Sequence, residues 1–421
     1  MTATISPRST SEELDGALVG RTADGLTSID RTAWNQLLSP GGGALEHGYL
    51  TAWEKSELQG LRSCPVVAAA EGSENLLAAC PGYLYDLDIV GVRLPAAAHI
   101  LQPLRRVWPR LLHVRTYELG SPTPLTNPFL VTDERLRAPA VHALIEAGIA
   151  RAQRARAQFV LVQNFPSLDL PAAQQLQALG FAPVPMLPTA IVDLPYASFD
   201  EYLGAMRAQY RRRARQAFKR SSELRIEHLE HFRDHADELA RLWRLIYDRA
   251  IEVRREILPA GFFAAVSELE ESSVLLARRG DGSIAAFALL LADRPWLSFL
   301  HCGFDAEAAR SEGAYFRLLY EIVRVAIEQG FEQVELGMTT LQPKLDIGGV
   351  PIPLYACLRH RHPLVQRALG AVGNRVIQPD QLEPRKVFKD PPPTANELVA
   401  RRMCAPRDSR QSAPAPDRDS E

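Results

Sequence analysis

Apolar positions recur with a helical period over residues 139–157, where Val141, Leu144, Ile145, Ile149 and Ala152 fall on one stripe. The chain then enters Gln158-Phe-Val-Leu-Val-Gln163, a short continuous apolar run of the kind that forms a buried strand. A helix over 171–179, a stop at Gly180 and a strand over 188–194 follow. The same succession returns roughly 170 residues later, a domain-length spacing. There a striped helix over 315–329 and a break at Gly330 precede the strand Gln333-Val-Glu-Leu-Gly337. Two hairpins are also expected. One joins 65–70 to 76–85 through the turn 71–75; the other joins 273–278 to 284–291 through Gly280-Asp-Gly282 and leads into a strand over 296–304. Helices are expected at 32–38, 50–61, 101–113 (with Arg105, Arg106 and Arg110) and 235–256, and a loop at 121–128. This pattern predicts an α/β fold with mixed sheets, arranged as two related domains in tandem. The expected division is a disordered tail over 1–27, domains over 28–197 and 198–385, and a C-terminal tail over 386–421.

The segment joining the halves is a predicted helix over 198–219. Ser198-Phe-Asp-Glu201 has the form of a capping box, with Glu201 placed to return to the Ser198 backbone. Seven cations, Arg207, Arg211, Arg212, Arg213, Arg215, Lys219 and Arg220, follow without an intervening acid. Arg207, Arg211 and Arg215 recur every four residues and so share one face of a continuous helix.

Composition narrows the setting. Charged residues make up 23% and the formal net charge is −2, so attraction to nucleic acid or an anionic surface must be local. Five scattered cysteines without Cys-x-x-Cys spacing fit free thiols in a reducing cytoplasm, not a disulfide framework or a zinc site. The first residues lack an apolar signal core, and no run approaches the ~18 apolar residues of a spanning helix. A cytoplasmic protein without membrane insertion is expected.

The order hairpin, third strand, glycine-bearing loop, helix and further strand resembles the core of the GNAT N-acetyltransferase superfamily. Its loop Arg310-Ser-Glu-Gly313-Ala314-Tyr315 is similar to that superfamily's Q/R-x-x-G-x-G/A pyrophosphate loop, with Tyr315 where a small residue is usual. The run Gly337…Lys344…Gly348-Gly349 and the basic helix resemble the Fem-type branch, tandem-GNAT proteins related to the peptidoglycan aminoacyltransferases, and the BioF2-like acetyltransferase domains. The resemblance implies transfer of an acyl or aminoacyl group to a small-molecule amine acceptor. The donor would be acyl-CoA, a carrier-protein thioester or aminoacyl-tRNA, with no metal.

Such a transfer needs a free amine, a polarised carbonyl and a donor held by its phosphates. Arg310, Gly313 and Ala314 at a helix N-terminus, with Phe304 beside them, are the candidate phosphate cradle. Lys344 is the candidate to stabilise an oxyanion or bind a carboxylate, and Glu335 the candidate base, pointing opposite Val334 and Leu336. Tyr315, Tyr320, Asp346 and Tyr355 are further candidates for proton delivery or amine positioning. Arg207, Arg211 and Arg215 are the candidate substrate or tRNA contacts; a solvated face tied to the other domain is the plainer explanation. His301 and Cys302 are strand neighbours on opposite faces and so do not form a dyad, and His228, His231 and His235 match no metal spacing. A competing expectation is a non-catalytic module that keeps the fold and binds nucleic acid or an anionic polymer.

Overall fold

The computed structural model describes residues 17–38, 43–56, 58, 60–88, 108, 113–121, 128–249, 256–376 and 383–403. The helix expected over 101–113 and the loop expected over 121–128 fall largely outside them. In the first half lie β1 Leu18–Thr22, β2 Arg62–Ser63, β3 Val66–Ala70, β4 Ala78–Cys80, β5 Gly82–Asp88, β6 His113–Leu119, β7 Leu130–Val131, β8 Phe159–Phe165, β9 Ala182–Pro185 and β10 Thr189–Asp193. The second half adds β11 Arg225–Leu229, β12 Ser272–Arg278, β13 Ile284–Asp293, β14 Trp296–Phe304, β15 Gln333–Glu335, β16 Val350–Ile352 and β17 Tyr355–His360.

These strands form three sheets, ordered β1-β3-β4-β7, β2-β5-β6-β8-β17-β9 and β11-β12-β13-β14-β15-β10-β16. Each of the two larger sheets holds one parallel pair, β6 with β8 and β14 with β15. A parallel pair requires a crossover, supplied by the helices Arg137–Arg154 and Ala314–Glu328. Their apolar stripes decide where they pack: Val141, Leu144 and Ile145 are fully buried in one core, and Leu319, Ile322, Val323 and Ala326 in another.

The repeat seen in the apolar pattern is therefore present, and the two copies exchange strands. Strand β10, from the first half of the chain, pairs between β15 and β16. Strand β17, from the second half, pairs between β8 and β9. Each sheet thus takes an inner strand from the other half, and the sheets do not divide at 197/198.

Other differences have local causes. The strand expected over 76–85 is cut at Pro81, which has no N–H to donate; β4 joins the small sheet and β5 the six-stranded one. The helix expected over 50–61 is His47–Lys55. The linking helix is broken in two, Phe199–Ala205 and Ala208–Arg220, because Met206 bridges to Phe388 and the Arg207 N–H donates to the Val387 carbonyl. Ser198 caps Glu201 N–H as expected, but Glu201 accepts from the N–H of Ala197, not Ser198. Residues 386–403, expected as tail, pack instead. Phe388 lies against Tyr196 and Tyr202, and the helix Ala395–Met403 buries Leu398 on β10 and β16.

Candidate active site where two strands part

Strands β14 and β15 pair only over Trp296–Ser298 and Gln333–Glu335. Beyond that point β14 continues to Phe304, whereas the other chain turns at Gly337, whose φ of 79° lies in the left-handed region. The short helix Leu341–Asp346 carries Lys344 into the angle between them. A Cβ on Gly337 would stand at ordinary contact distance, 3.6 Å, from both Lys344 Nζ and the Phe299 carbonyl, so it is the turn that favours glycine.

Lys344 is 3% exposed. Its ammonium donates to the Gly337 carbonyl at 3.0 Å and lies 5.9 Å from the centre of the Phe299 ring. The loop lysine expected from the sequence is thus a buried cation at the parting of two parallel strands. Cys302 lies within reach of that charge. Burial pushes its thiol up to about 11, and Lys344 opposes the rise.

The opposite end of β14 meets the glycine loop. An extra residue, Leu300, shifts the register between β13 and β14, so Phe299, Cys302 and Phe304 all pack toward the helix Ala314–Glu328 while Leu300 packs on the other side. His301 sits among the rings of Trp53, Trp243 and Phe262, apart from Cys302 as expected. Phe304 contacts Tyr315 at 5.6 Å, beside Gly313 and Ala314 at the helix start. From Phe299 to Phe304 the strand advances about 15 Å, which separates the lysine from the loop.

The loop is clamped by ion pairs. Arg279 reaches Asp305 at 2.9 Å and Glu312 at 2.7 Å, and Asp305 caps Ala308 N–H. Arg220, at the end of the basic helix, donates to the Ser311 carbonyl at 2.9 Å and lies over Gly313. Sequence reasoning placed Arg310 here; its side chain lies outside the described part. Arg220 and Arg279 were missed, since nothing in the spacing links them to a loop so far along the chain.

The remaining candidates scatter. Glu335 is fully buried on the face of β15 opposite Val334 and Leu336. It accepts from the Thr189 hydroxyl and, at 3.0 Å, from Gly337 N–H. Burial pushes its carboxyl up, with Arg402 the largest opposing charge. Such a group supports the turn and does not meet a solvent-borne amine. Asp346 is tied to Arg213 at 3.1 Å and to Arg385. Tyr320 is buried against Phe218, its phenol pushed up by burial and by Asp346. Tyr355 belongs to β17 in the six-stranded sheet and is not brought to Lys344. Arg207 bonds the Phe388 carbonyl and Arg211 the carbonyls of Gly204 and Met206, so these two serve the helix break. Arg212, Arg215 and Lys219 are exposed, with no ion pair or hydrogen bond among the described residues. Among those residues no cluster of three or more His, Cys, Asp or Glu could hold a metal, and no helix is long and apolar enough to cross a membrane.

The family model FemAB-like, described as peptidoglycan biosynthesis/recognition, matches residues 25–378. The chain belongs to the FemAB-like family. The Fem-type branch expected from Gly337, Lys344 and the basic helix is therefore found. Two curated relatives from strains of Mycobacterium tuberculosis, each named putative 8-amino-7-oxononanoate synthase 2, are 27% identical over 298 residues. The match covers 69% of this chain and 38% of each relative, so the chain spans about two fifths of their length. A crystal structure of FemX superposes with a TM-score of 0.53 at 14% identity, covering 80% of this chain and 98% of that one. That likeness shows the fold. A tandem GNAT protein from the clavulanic acid biosynthesis pathway aligns with a TM-score of 0.48 at 13% identity, over 82% of this chain and 99% of that one.

Proposed function

We propose that this FemAB-like protein is an acyltransferase that forms an amide, moving an acyl group from acyl-CoA to an amine on a small molecule or amino sugar. The observation that carries the reading is the Lys344 ammonium, buried where β14 and β15 part and already holding one carbonyl oxygen at 3.0 Å. An acyl carbonyl entering that angle meets a cation in low dielectric, where a developing oxyanion is stabilised more than the ground-state carbonyl. In the reaction the neutral amine attacks the carbonyl carbon, the C–S bond breaks, and the proton lost by the amine ends on the departing sulfur, so CoA leaves as the thiol. Tyr315, whose ring lies 5.6 Å from that of Phe304 beside the loop, is the candidate for proton delivery to the departing sulfur.

The donor assignment is supported by the about 15 Å of strand between Lys344 and the helix start at Gly313. Phosphates at one end and a thioester at the other suit a long pantetheine arm. Backbone N–H groups at Ala314 and beyond, with Arg220 and Arg279 beside them, would hold the phosphates.

A second reading is favoured by Arg212, Arg215 and Lys219: aminoacyl-tRNA as donor, with its backbone on this unpaired stripe. Thermal unfolding separates the two. A ligand at 100 times its dissociation constant adds about 2.7 kcal/mol of stability, so acetyl-CoA should raise the midpoint and tRNA should not. A rise with tRNA alone would replace the CoA reading.

A further inference from the structure

On the face of the seven-stranded sheet turned away from the helix Ala314–Glu328, the helix Ala395–Met403 covers the end formed by β10 and β16, and the helices Ala236–Arg249 and Ala260–Val266 cover β12 to β14. On that face Trp296 and Ser298 stand in register with Gln333 and Glu335, and Ile191 is in register with Glu335. Leu398 packs on Ile191, Val350 and Ile352, and Arg401 reaches Asp193 at 3.0 Å. One turn's width away, Arg402 enters the interior. It is 6% exposed and lies over the Trp296 ring at 5.4 Å.

The polar atoms here are unusual as a group. Arg402 Nε and Nη1, Glu335 Oε2, Gln333 Oε1 and Trp296 Nε1 are all buried, and none has a hydrogen-bond partner among the described residues. A lone buried carboxylate or guanidinium carries a penalty of several kcal/mol. Two opposite charges under one helix offset it for each other without direct contact. Glu335 in turn anchors the site: its Oε1 accepts Gly337 N–H at 3.0 Å, and the Gly337 carbonyl accepts Lys344 Nζ at 3.0 Å. The connection runs from the C-terminal helix through one carboxylate and one peptide unit to the lysine.

We propose that Arg402 is a positioning residue for acyl transfer: as the counter-charge of Glu335 it keeps that carboxylate on Gly337 N–H, and so holds the Gly337 carbonyl, and with it the Lys344 ammonium, in place. The proposal rests on the reading of Lys344 given above. The charged groups that act on Glu335 are Arg402 from the C-terminal helix and Lys344 from the helix Leu341–Asp346; β10 contributes the uncharged Thr189. Asp293 acts on Arg402 from β13, and Asp193 is engaged by Arg401.

The test uses the full chain labelled with 15N-glycine, reading the Gly337 amide resonance against pH, together with turnover of acetyl-CoA and an amine. In the wild type the resonance should stay constant across roughly pH 6 to 8. In Arg402→Met it should move with pH, because loss of the counter-charge leaves burial to push the Glu335 carboxyl further up. Arg402→Lys should restore the constant value. Turnover of Arg402→Met should fall roughly 10- to 100-fold in kcat with donor KM unchanged, and Arg402→Lys should recover most of it. A folded Arg402→Met with the wild-type resonance at every pH overturns the proposal. Glu335→Gln keeps the shape and removes the charge, so it answers the same question where Arg402→Met does not fold. The proposal expects a displaced, pH-independent Gly337 resonance and a comparable fall in kcat; an unchanged resonance and kcat overturn it. Full activity in Lys344→Met would sink the reading of the lysine alone, since the Gly337 resonance does not depend on turnover.

Discussion

Replacing Lys344 with methionine keeps nearly the same volume and removes the charge at the parting of β14 and β15. The structure sets the size of the effect. Nζ already holds a carbonyl oxygen at 3.0 Å, and a full negative charge at that distance gains roughly 5 kcal/mol at an effective dielectric constant of about 20. Part of this is felt by the uncharged carbonyl before reaction, which leaves about 3 to 4 kcal/mol specific to the transition state, the size found for single oxyanion-hole donors. Lys344→Met should therefore lower kcat about 10²- to 10³-fold, with donor KM little changed. Folding should suffer less. The variant loses one charge-assisted hydrogen bond, about 1.5 to 3 kcal/mol, and regains part of it by burying an apolar chain. The assay follows release of the CoA thiol with a panel of amines, beside urea unfolding of both proteins. A kcat within fivefold of the wild type, in a variant of near-normal stability, would refute the role of the lysine.

Three further outcomes are expected. Arg279→Met should unclamp the loop before Gly313. Burial pushes the Asp305 carboxyl up, but Ala308 N–H and Arg279 outweigh it and hold it below its ordinary range; that stability is present above the unfolded value and is lost as pH falls through the folded one. The difference between wild type and variant should thus be about 1 to 2 kcal/mol near pH 7 and should shrink below about pH 4 in urea titrations; an equal difference at both pH values would point to packing instead. Phe388→Ala removes the ring that packs on Tyr196 and Tyr202, and should cost about 3 kcal/mol, read as a lowered urea midpoint; an unchanged midpoint would mean that residues 386–403 are not part of the fold. Arg215→Glu with Lys219→Glu should leave acetyl-CoA turnover within twofold and abolish any salt-dependent retention of tRNA; loss of acetyl-CoA turnover would place the stripe in the donor site.

The repeat of striped helix and buried strand was readable because it depends on local periodicity, and it located both parallel pairs. Gly337 and Lys344 were singled out through the resemblance to the Fem-type branch, and the burial of Lys344 was not legible. The exchange of β10 and β17 was not, since a short apolar strand carries no mark of the sheet it will join. Nor was the break at Met206, which is decided by Phe388 some 180 residues away. The extra residue Leu300 sets which side chains of β14 face the cleft, yet an apolar run reads alike with or without a bulge. Arg402 lies in the segment 386–421 expected as a C-terminal tail. Its burial follows from Leu398, one turn earlier in Ala395–Met403, which packs the helix on β10 and β16. Glu335 was placed on the correct face, but the sequence did not say that this face is covered.

The most direct test of the account is a crystal structure of the full chain with acetyl-CoA. The account predicts the pyrophosphate on the backbone N–H groups that follow Gly313 and the thioester carbonyl oxygen within hydrogen-bonding distance of Lys344 Nζ, between Phe299 and Gly337. An acetyl-CoA seated elsewhere, with the lysine still bound only to the chain, would contradict it.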